Sequence, residues 1–150
     1  MKIRNNIPLW LIITLAILSF LGFLDATYLT VSHFAGSELN CEIFKGCNEV
    51  TNSKYSEIFG IPIALGGTLY YLAIFITTLL YADLRKRRLL TLIPILTTAG
   101  ILFTIYLIYI QFFVIGAICI YCMFSAVTTT TLFILSMLIL EKRHPGTPVT

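Results

Sequence analysis

From Leu89 through Leu140 the chain carries no Asp, Glu, Lys or Arg. Wound as one helix at ~1.5 Å per residue, those 52 residues (89–140) would reach ~78 Å, against a hydrocarbon core ~30 Å thick. The run is therefore two spans, and the natural break falls around QFFVIGA, where Gln111 and Gly116 interrupt it. Two earlier apolar stretches, from Ile7 to about Phe34 and from Ile61 to Ala82, are each long enough to cross a bilayer. The chain is 58% hydrophobic and 11% charged, with mean hydropathy +0.93, where soluble domains carry about 25% charged residues. The expected fold is all-α: a single domain over residues 1–150, an integral membrane four-helix bundle with helices near 8–33, 61–82, 89–111 and 117–140. A short extracytoplasmic loop segment is expected between helices 1 and 2. The positive start at Lys2 and Arg4 also suits a signal peptide, but the apolar core is too long and no small-x-small cleavage site follows.

Lysine and arginine set the expected orientation. Lys2 and Arg4 precede helix 1, Arg85, Lys86, Arg87 and Arg88 separate helices 2 and 3, and Lys142 and Arg143 follow helix 4. The opposite side holds only Lys45 and Lys54, beside Glu38, Glu42, Glu49 and Glu57. Cytoplasmic loops carry the Lys/Arg excess, so both termini are expected in the cytoplasm of a cell whose inner membrane the chain crosses. The net charge of +3 is modest, and lipid rather than nucleic acid is the expected surroundings.

This orientation gathers the four cysteines outside the cytoplasm, where disulfides persist. Cys41 and Cys47 fall in the first external loop, and Cys119 and Cys122 open helix 4. On a regular helix Cys41 and Cys47 would be ~9 Å apart along the axis, so a bond between them needs a turned segment; Gly46 precedes the second cysteine. Cys119 and Cys122 share a helical face, and a helix N-terminus favours thiolate. Spacing alone leaves four readings open: a redox relay, two structural disulfides stapling the external face, a four-cysteine zinc site, or inert buried thiols.

The stretch CEIFKGCNEVTNSKYSEIFGIPIALGGTLYY, preceded by LGFLDATYLTVSHF and followed by CIYC, resembles the vitamin K epoxide reductase family in its bacterial form. The likeness covers nearly the whole chain. The DsbB family is functionally similar but carries its C-x-x-C in the first external loop, the reverse of the order here. The resemblance implies a quinone-linked thiol oxidoreductase that passes electrons from a thioredoxin-like (DsbA-like) protein to ubiquinone or menaquinone and needs no metal. By position, Cys41 and Cys47 match the shuttle pair, and Cys119 and Cys122 the quinone-proximal pair. The order expected is attack by the partner on Cys47, attack by the released Cys41 on Cys119, and release of Cys122 towards the quinone. The partner is expected to be a separate chain.

Smaller expectations attach to other residues. Ser53 and Tyr55 match the family's Ser-x-aromatic element and are read as capping the quinone site, or as an ordinary turn serine and interfacial tyrosine. Gly60 and Pro62 are read as a helix start and, with Ser53, Tyr55, Ser56 and Asp25, as candidates for binding or supporting the quinone. Asp25 is the acidic residue within a span, a functional candidate by that fact alone; His33 reads as an interfacial residue. Vertebrate enzymes of the family have an asparagine where Ser56 stands and a tyrosine where Ala126 stands, both contacting vitamin K. Their absence favours quinone reduction over epoxide reduction.

Overall fold

The computed structural model describes residues 7–37 and 46–143. Helix α1 covers Leu9–Ala35, a short helix α2 covers Cys47–Thr51, strands β1 (Glu57–Ile58) and β2 (Ile61–Pro62) form a hairpin, and α3 covers Ile63–Leu84. Helix α4 covers Arg87–Tyr109 and continues as a π-helix over Ile110–Ile115; α5 covers Ile120–Arg143. Among the described residues, four helices are long and apolar enough to cross a membrane: Leu9–Ala35, Ile63–Leu84, Arg88–Ile115 and Ile120–Lys142. The protein is an all-α, multi-pass membrane bundle.

Each long helix packs on two others: α1 on α3 and α5, and α4 on α3 and α5. The helices are apolar around their whole circumference, as lipid demands of a spanning segment. Side chains such as Ile13, Ile17 and Leu102 point outward, and a second set points in. The inward set fills one half of the bundle, where Leu11 and Leu15 of α1 meet Ile74 and Tyr81 of α3, Leu90 and Ile93 of α4, and Leu132 and Ile139 of α5. This solid half lies toward the Arg85–Arg88 connection. The other half is hollow.

Polar side chains tie the helices where apolar packing alone gives lipid no reason to leave. Thr30 meets Thr68 at 3.2 Å between α1 and α3, and Thr97 meets Ser136 at 2.8 Å between α4 and α5. Tyr71 of α3, 1% exposed, donates its hydroxyl to the Ser125 carbonyl of α5 at 2.9 Å, with Ser125 Oγ at 2.7 Å and Thr129 Oγ1 at 2.8 Å. The ring of Tyr71 fits because α1 has glycine beside it: a Cβ on Gly22 would lie 2.5 Å from Tyr71 Cε1.

The boundaries correct the sequence reading in three places. The second span begins at Ile63, because Ile61 and Pro62 pair with Ile58 and Glu57 in the hairpin. Its two-residue turn puts Phe59 at φ 54° and Gly60 at φ 76°, the signs of a type I′ turn. Gly60 is thus a turn residue and not a helix start, whereas Pro62 does immediately precede a helix. The third span runs past Gln111 to Ile115 and stops at Gly116, whose φ of 69° ends it. The last span begins at Ile120, so Cys119 precedes the helix that it was expected to open.

Two substitutions rank the forces at the Tyr71 junction. Gly22→Ala forces a methyl into the tyrosine ring and is expected to cost about 1–3 kcal/mol, the range for overpacking. Tyr71→Phe keeps the packing and removes the hydroxyl, at about 0.6 kcal/mol and at most about 1.7 for a hydrogen bond between membrane helices. Thermal unfolding in detergent should therefore show the larger loss of Tm for Gly22→Ala; the reverse order would make the hydroxyl, not the ring, the main tie.

Candidate active site

The segment between α1 and α3 is folded down onto the bundle by short local bonds. The Ser53 hydroxyl donates to the Val50 carbonyl at 2.8 Å, and the Ser56 hydroxyl to the Ser53 carbonyl at 2.7 Å. The Ile63 N–H then returns to the Ser56 carbonyl at 2.8 Å, fastening the loop to the start of α3. His33 Nε2 meets Glu57 Oε1 at 2.9 Å and fastens β1 to the end of α1. His33 is therefore more than an interfacial ring.

Under this segment two buried groups of residues meet the cysteines. Cys47 and Cys119, both 0% exposed, share one apolar cluster with Leu29, Val50 and Ala117, and Cys122 packs against it. The contact rests on Gly46. A Cβ there would stand 2.9 Å from both the nitrogen and the oxygen of Ile118, so the start of α2 lies backbone to backbone against the residue before Cys119. Gly46 serves close approach, a stricter demand than the loop turn expected of it. Cys47 is disulfide-bonded, while Cys119 and Cys122 are free thiols. Cys41 lies outside the described residues.

The burial of Cys47 reverses one expectation. A sulfur with no exposed surface, packed with Cys119, is not the one a protein partner reaches first. The expected order within the loop pair, partner at Cys47 and Cys41 inward, does not fit this packing.

The inner pair is unequal. The Cys119 thiol is lowered to about 7 from an ordinary 9.0, first by a hydrogen bond from the Cys122 side chain and further by the Cys122 and Tyr121 N–H groups, against the opposing effect of burial. These N–H groups belong to the free first turn of α5. Gln111, 4% exposed, was read from sequence only as a break in the apolar run. Its side chain instead reaches across to this turn, where its Oε1 accepts the Cys119 N–H at 3.4 Å. A polar residue in an uncharged stretch eight positions before the C-x-x-C was the available signal.

Cys122 looks the other way, into a cavity of about 300 Å³ in the hollow half of the bundle. Asp25, Ser53, Tyr55, Ser56 and Pro62 line it too, as do His33 and Ala126. Gly60 is not part of the lining; the hairpin turn carries it away. Two buried polar atoms in this lining, Asp25 Oδ2 and the Tyr70 hydroxyl, have no hydrogen-bond partner among the described residues. Tyr70 was not singled out from sequence, because a tyrosine in an apolar span looks like packing. Its hydroxyl lies where a Cβ on Gly100 would stand, so the α4 glycine makes its room. Among the described residues no three His, Cys, Asp or Glu side chains group closely enough to hold a metal ion.

Two measurements test this geometry. In a Cys41→Ser, Cys122→Ser protein, mild oxidation should join Cys47 to Cys119, and adding Gly46→Ala should cut the yield about tenfold or more, as a misplaced reacting pair does. An unchanged yield would mean that the close approach at Ile118 does not position Cys47. In the native chain with a reduced inner pair, thiolate absorbance should rise with a midpoint near pH 7. Cys122→Ala should move that midpoint upward, because it removes the principal hydrogen bond to the Cys119 thiolate.

Comparison with known proteins identifies the family. The model of the vitamin K epoxide reductase family matches residues 13–137. The chain is also 31% identical over 125 residues to the thiol-disulfide oxidoreductase LTO1 of Arabidopsis thaliana, a match covering 76% of this chain and 32% of that protein. The chain thus spans about a third of that relative's length. With the match running from the first span to the last, across the hairpin and the C-x-x-C, the chain belongs to the vitamin K epoxide reductase family.

Proposed function

We propose that the protein is a membrane thiol oxidoreductase that carries electrons from a reduced thioredoxin-like protein, through its two cysteine pairs, to a quinone. The observation that carries the reading is the sequence of sulfurs: Cys47 packed with Cys119, and Cys122 one turn on, facing a cavity. The name of the Arabidopsis relative speaks for thiol–disulfide chemistry. The free thiols at Cys119 and Cys122, beside a disulfide at Cys47, speak against two permanent staples.

The cavity suits a quinone head group in size and chemistry. Ligand sites begin at about 300 Å³ and combine apolar walls with a few placed polar groups. Asp25 and Tyr70 supply polar atoms that lack partners, a situation that calls for an explanation in a buried site. They are the groups we assign to the oxygens of the ring. Ser56 and Ala126, at the positions where vertebrate relatives contact vitamin K, line the same cavity. Neither side chain repeats the asparagine or the tyrosine, which favours quinone over epoxide as the substrate.

The relay proceeds by thiol–disulfide exchange. A partner thiolate attacks Cys41 of the Cys41–Cys47 bond, forming a mixed disulfide and releasing Cys47 as thiolate. Cys47 attacks Cys119 of the inner disulfide; the Cys47–Cys119 bond forms, the Cys119–Cys122 bond breaks, and Cys122 leaves as thiolate. The partner's second thiolate displaces Cys41, which then attacks Cys47 and frees Cys119. The outer pair is again a disulfide, the partner is oxidised and the inner pair is a dithiol. That dithiol gives two electrons and two protons to the quinone and closes to a disulfide. In the orientation that the basic residues favour, the reaction takes place on the extracytoplasmic side and supports disulfide formation there.

The assignment makes the loop cysteines unequal. Mixed with the disulfide form of the partner, Cys47→Ser should trap it on Cys41 by reverse exchange, and Cys41→Ser with its inner pair oxidised should accumulate Cys47 joined to Cys119, both visible by peptide mapping under non-reducing conditions. The opposite species would restore the order expected from sequence. In the native chain, free thiols should appear on incubation with a reduced thioredoxin-like protein and disappear when quinone is added. A thiol count that neither reagent changes would remove the relay and leave the structural reading.

A further inference from the structure

In the relay proposed above, one moment has no stabilising group yet. While Cys119 is bonded to Cys47, Cys122 is a thiolate in the wall of a largely apolar cavity, and its neighbour Cys119 has no charge or proton to share. An ion left without a donor in such surroundings is costly. Gln111 is a polar side chain beside both members of the pair. Its Oε1 accepts the Cys119 N–H at 3.4 Å, and it lines the same cavity as Cys122, one turn on.

The orientation of the amide follows from chemistry. A backbone N–H can only donate, so the atom facing Cys119 is the carbonyl oxygen, and the arm left for Cys122 is the NH₂, which can only donate. The local backbone serves the same end. Gln111 sits in the π-helical turn Ile110–Ile115, a wider winding that occurs chiefly at functional sites. Ile110 and Gln111 are consecutive and both buried, at 6% and 4% exposure. The amide oxygen is thereby held at the Cys119 N–H and cannot turn toward the sulfur without losing that bond.

We propose that Gln111 is a catalytic residue of the relay, whose amide N–H groups hold the thiolate released on Cys122 when Cys47 attacks Cys119. The electron pair of the broken Cys119–Cys122 bond rests on Cys122 until Cys119 is freed again. During that interval Gln111 makes Cys122 the better leaving group. Once the inner dithiol is formed, the Cys122 thiol turns to Cys119 and the amide is no longer needed as donor.

The test isolates Cys122 in the full-length chain by Cys41→Ser, Cys47→Ala and Cys119→Ala, and follows the pH dependence of its alkylation by a small neutral reagent. Asp25 and His33 of α1, Tyr55 before β1, Tyr70 and Tyr71 of α3 and Tyr121 of α5 are the other titratable groups around the site, and they are constant across the series. Gln111→Met removes both donor and acceptor and should raise the alkylation midpoint by about one pH unit or more, the effect of losing a hydrogen bond to a charged group. Gln111→Glu keeps the shape and the acceptor for the residue 119 N–H but offers Cys122 no N–H donor and adds negative charge, so it should raise the midpoint at least as far. A midpoint unchanged in Gln111→Glu but raised in Gln111→Met would mean that the residue only braces the chain before α5. Midpoints unchanged or lowered in both would overturn the proposal. The measurement uses neither partner nor quinone, so its failure is separable from failure of the relay.

Discussion

The Tyr71 hydroxyl stands where α3 meets α5, with its ring against α1, and inside a bilayer it has no water to turn to. It is satisfied by the Ser125 carbonyl and by the Ser125 and Thr129 hydroxyls, and those bonds form only when the three helices are in one register. Apolar side chains cannot supply that discrimination, since lipid tails are as apolar as leucine. Gly22 matters for the same reason: without a Cβ it lets the ring lie close against α1. The junction divides the bundle, with interlocked leucines and isoleucines on one side and the cavity on the other. Tyr71 itself belongs to the cavity wall, so the register that satisfies its hydroxyl also sets the shape of the site.

From that wall the chemistry builds outward. Ser125 lies one turn beyond Cys122 on α5, so the junction that fixes α5 also fixes the inner sulfur. The loop segment must then be brought to it. Gly46 against Ile118 does this by backbone contact, which leaves Cys47 buried beside Cys119. The π-helical end of α4 contributes Gln111 to the same turn. Three chain segments thus meet at the first turn of one helix, where free N–H groups favour thiolate.

Asp25 and Tyr70 occupy the opposite face of this chemistry. Both are buried polar groups in a span, and nothing among the described residues satisfies Asp25 Oδ2 or the Tyr70 hydroxyl. A structural bundle gains nothing from such atoms, each of which costs free energy in a medium without water. A bundle that binds a molecule with oxygen acceptors has a use for them. Gly100 leaving space for the Tyr70 hydroxyl fits that purpose.

The sequence by itself determined the class and the number of spans, because hydropathy over ~20 residues is a local property that lipid reads directly. Its motifs also carried the family, since CEIFKGC, SKY, FGIP and CIYC occur in order. What it could not determine were the matters decided by how the chain turns back on itself. Gln111 read as an interruption because its partner, the Cys119 N–H, is formed only when the chain turns back at Gly116. Gly60 read as a helix start because the pairing of Glu57 with Pro62 leaves no periodic trace in two-residue strands. Cys47 read as the sulfur that a partner attacks because nothing local to a polar loop shows which of two cysteines is buried. Only the tertiary structure showed that the glycine lets two backbones touch, and that touching buries the sulfur.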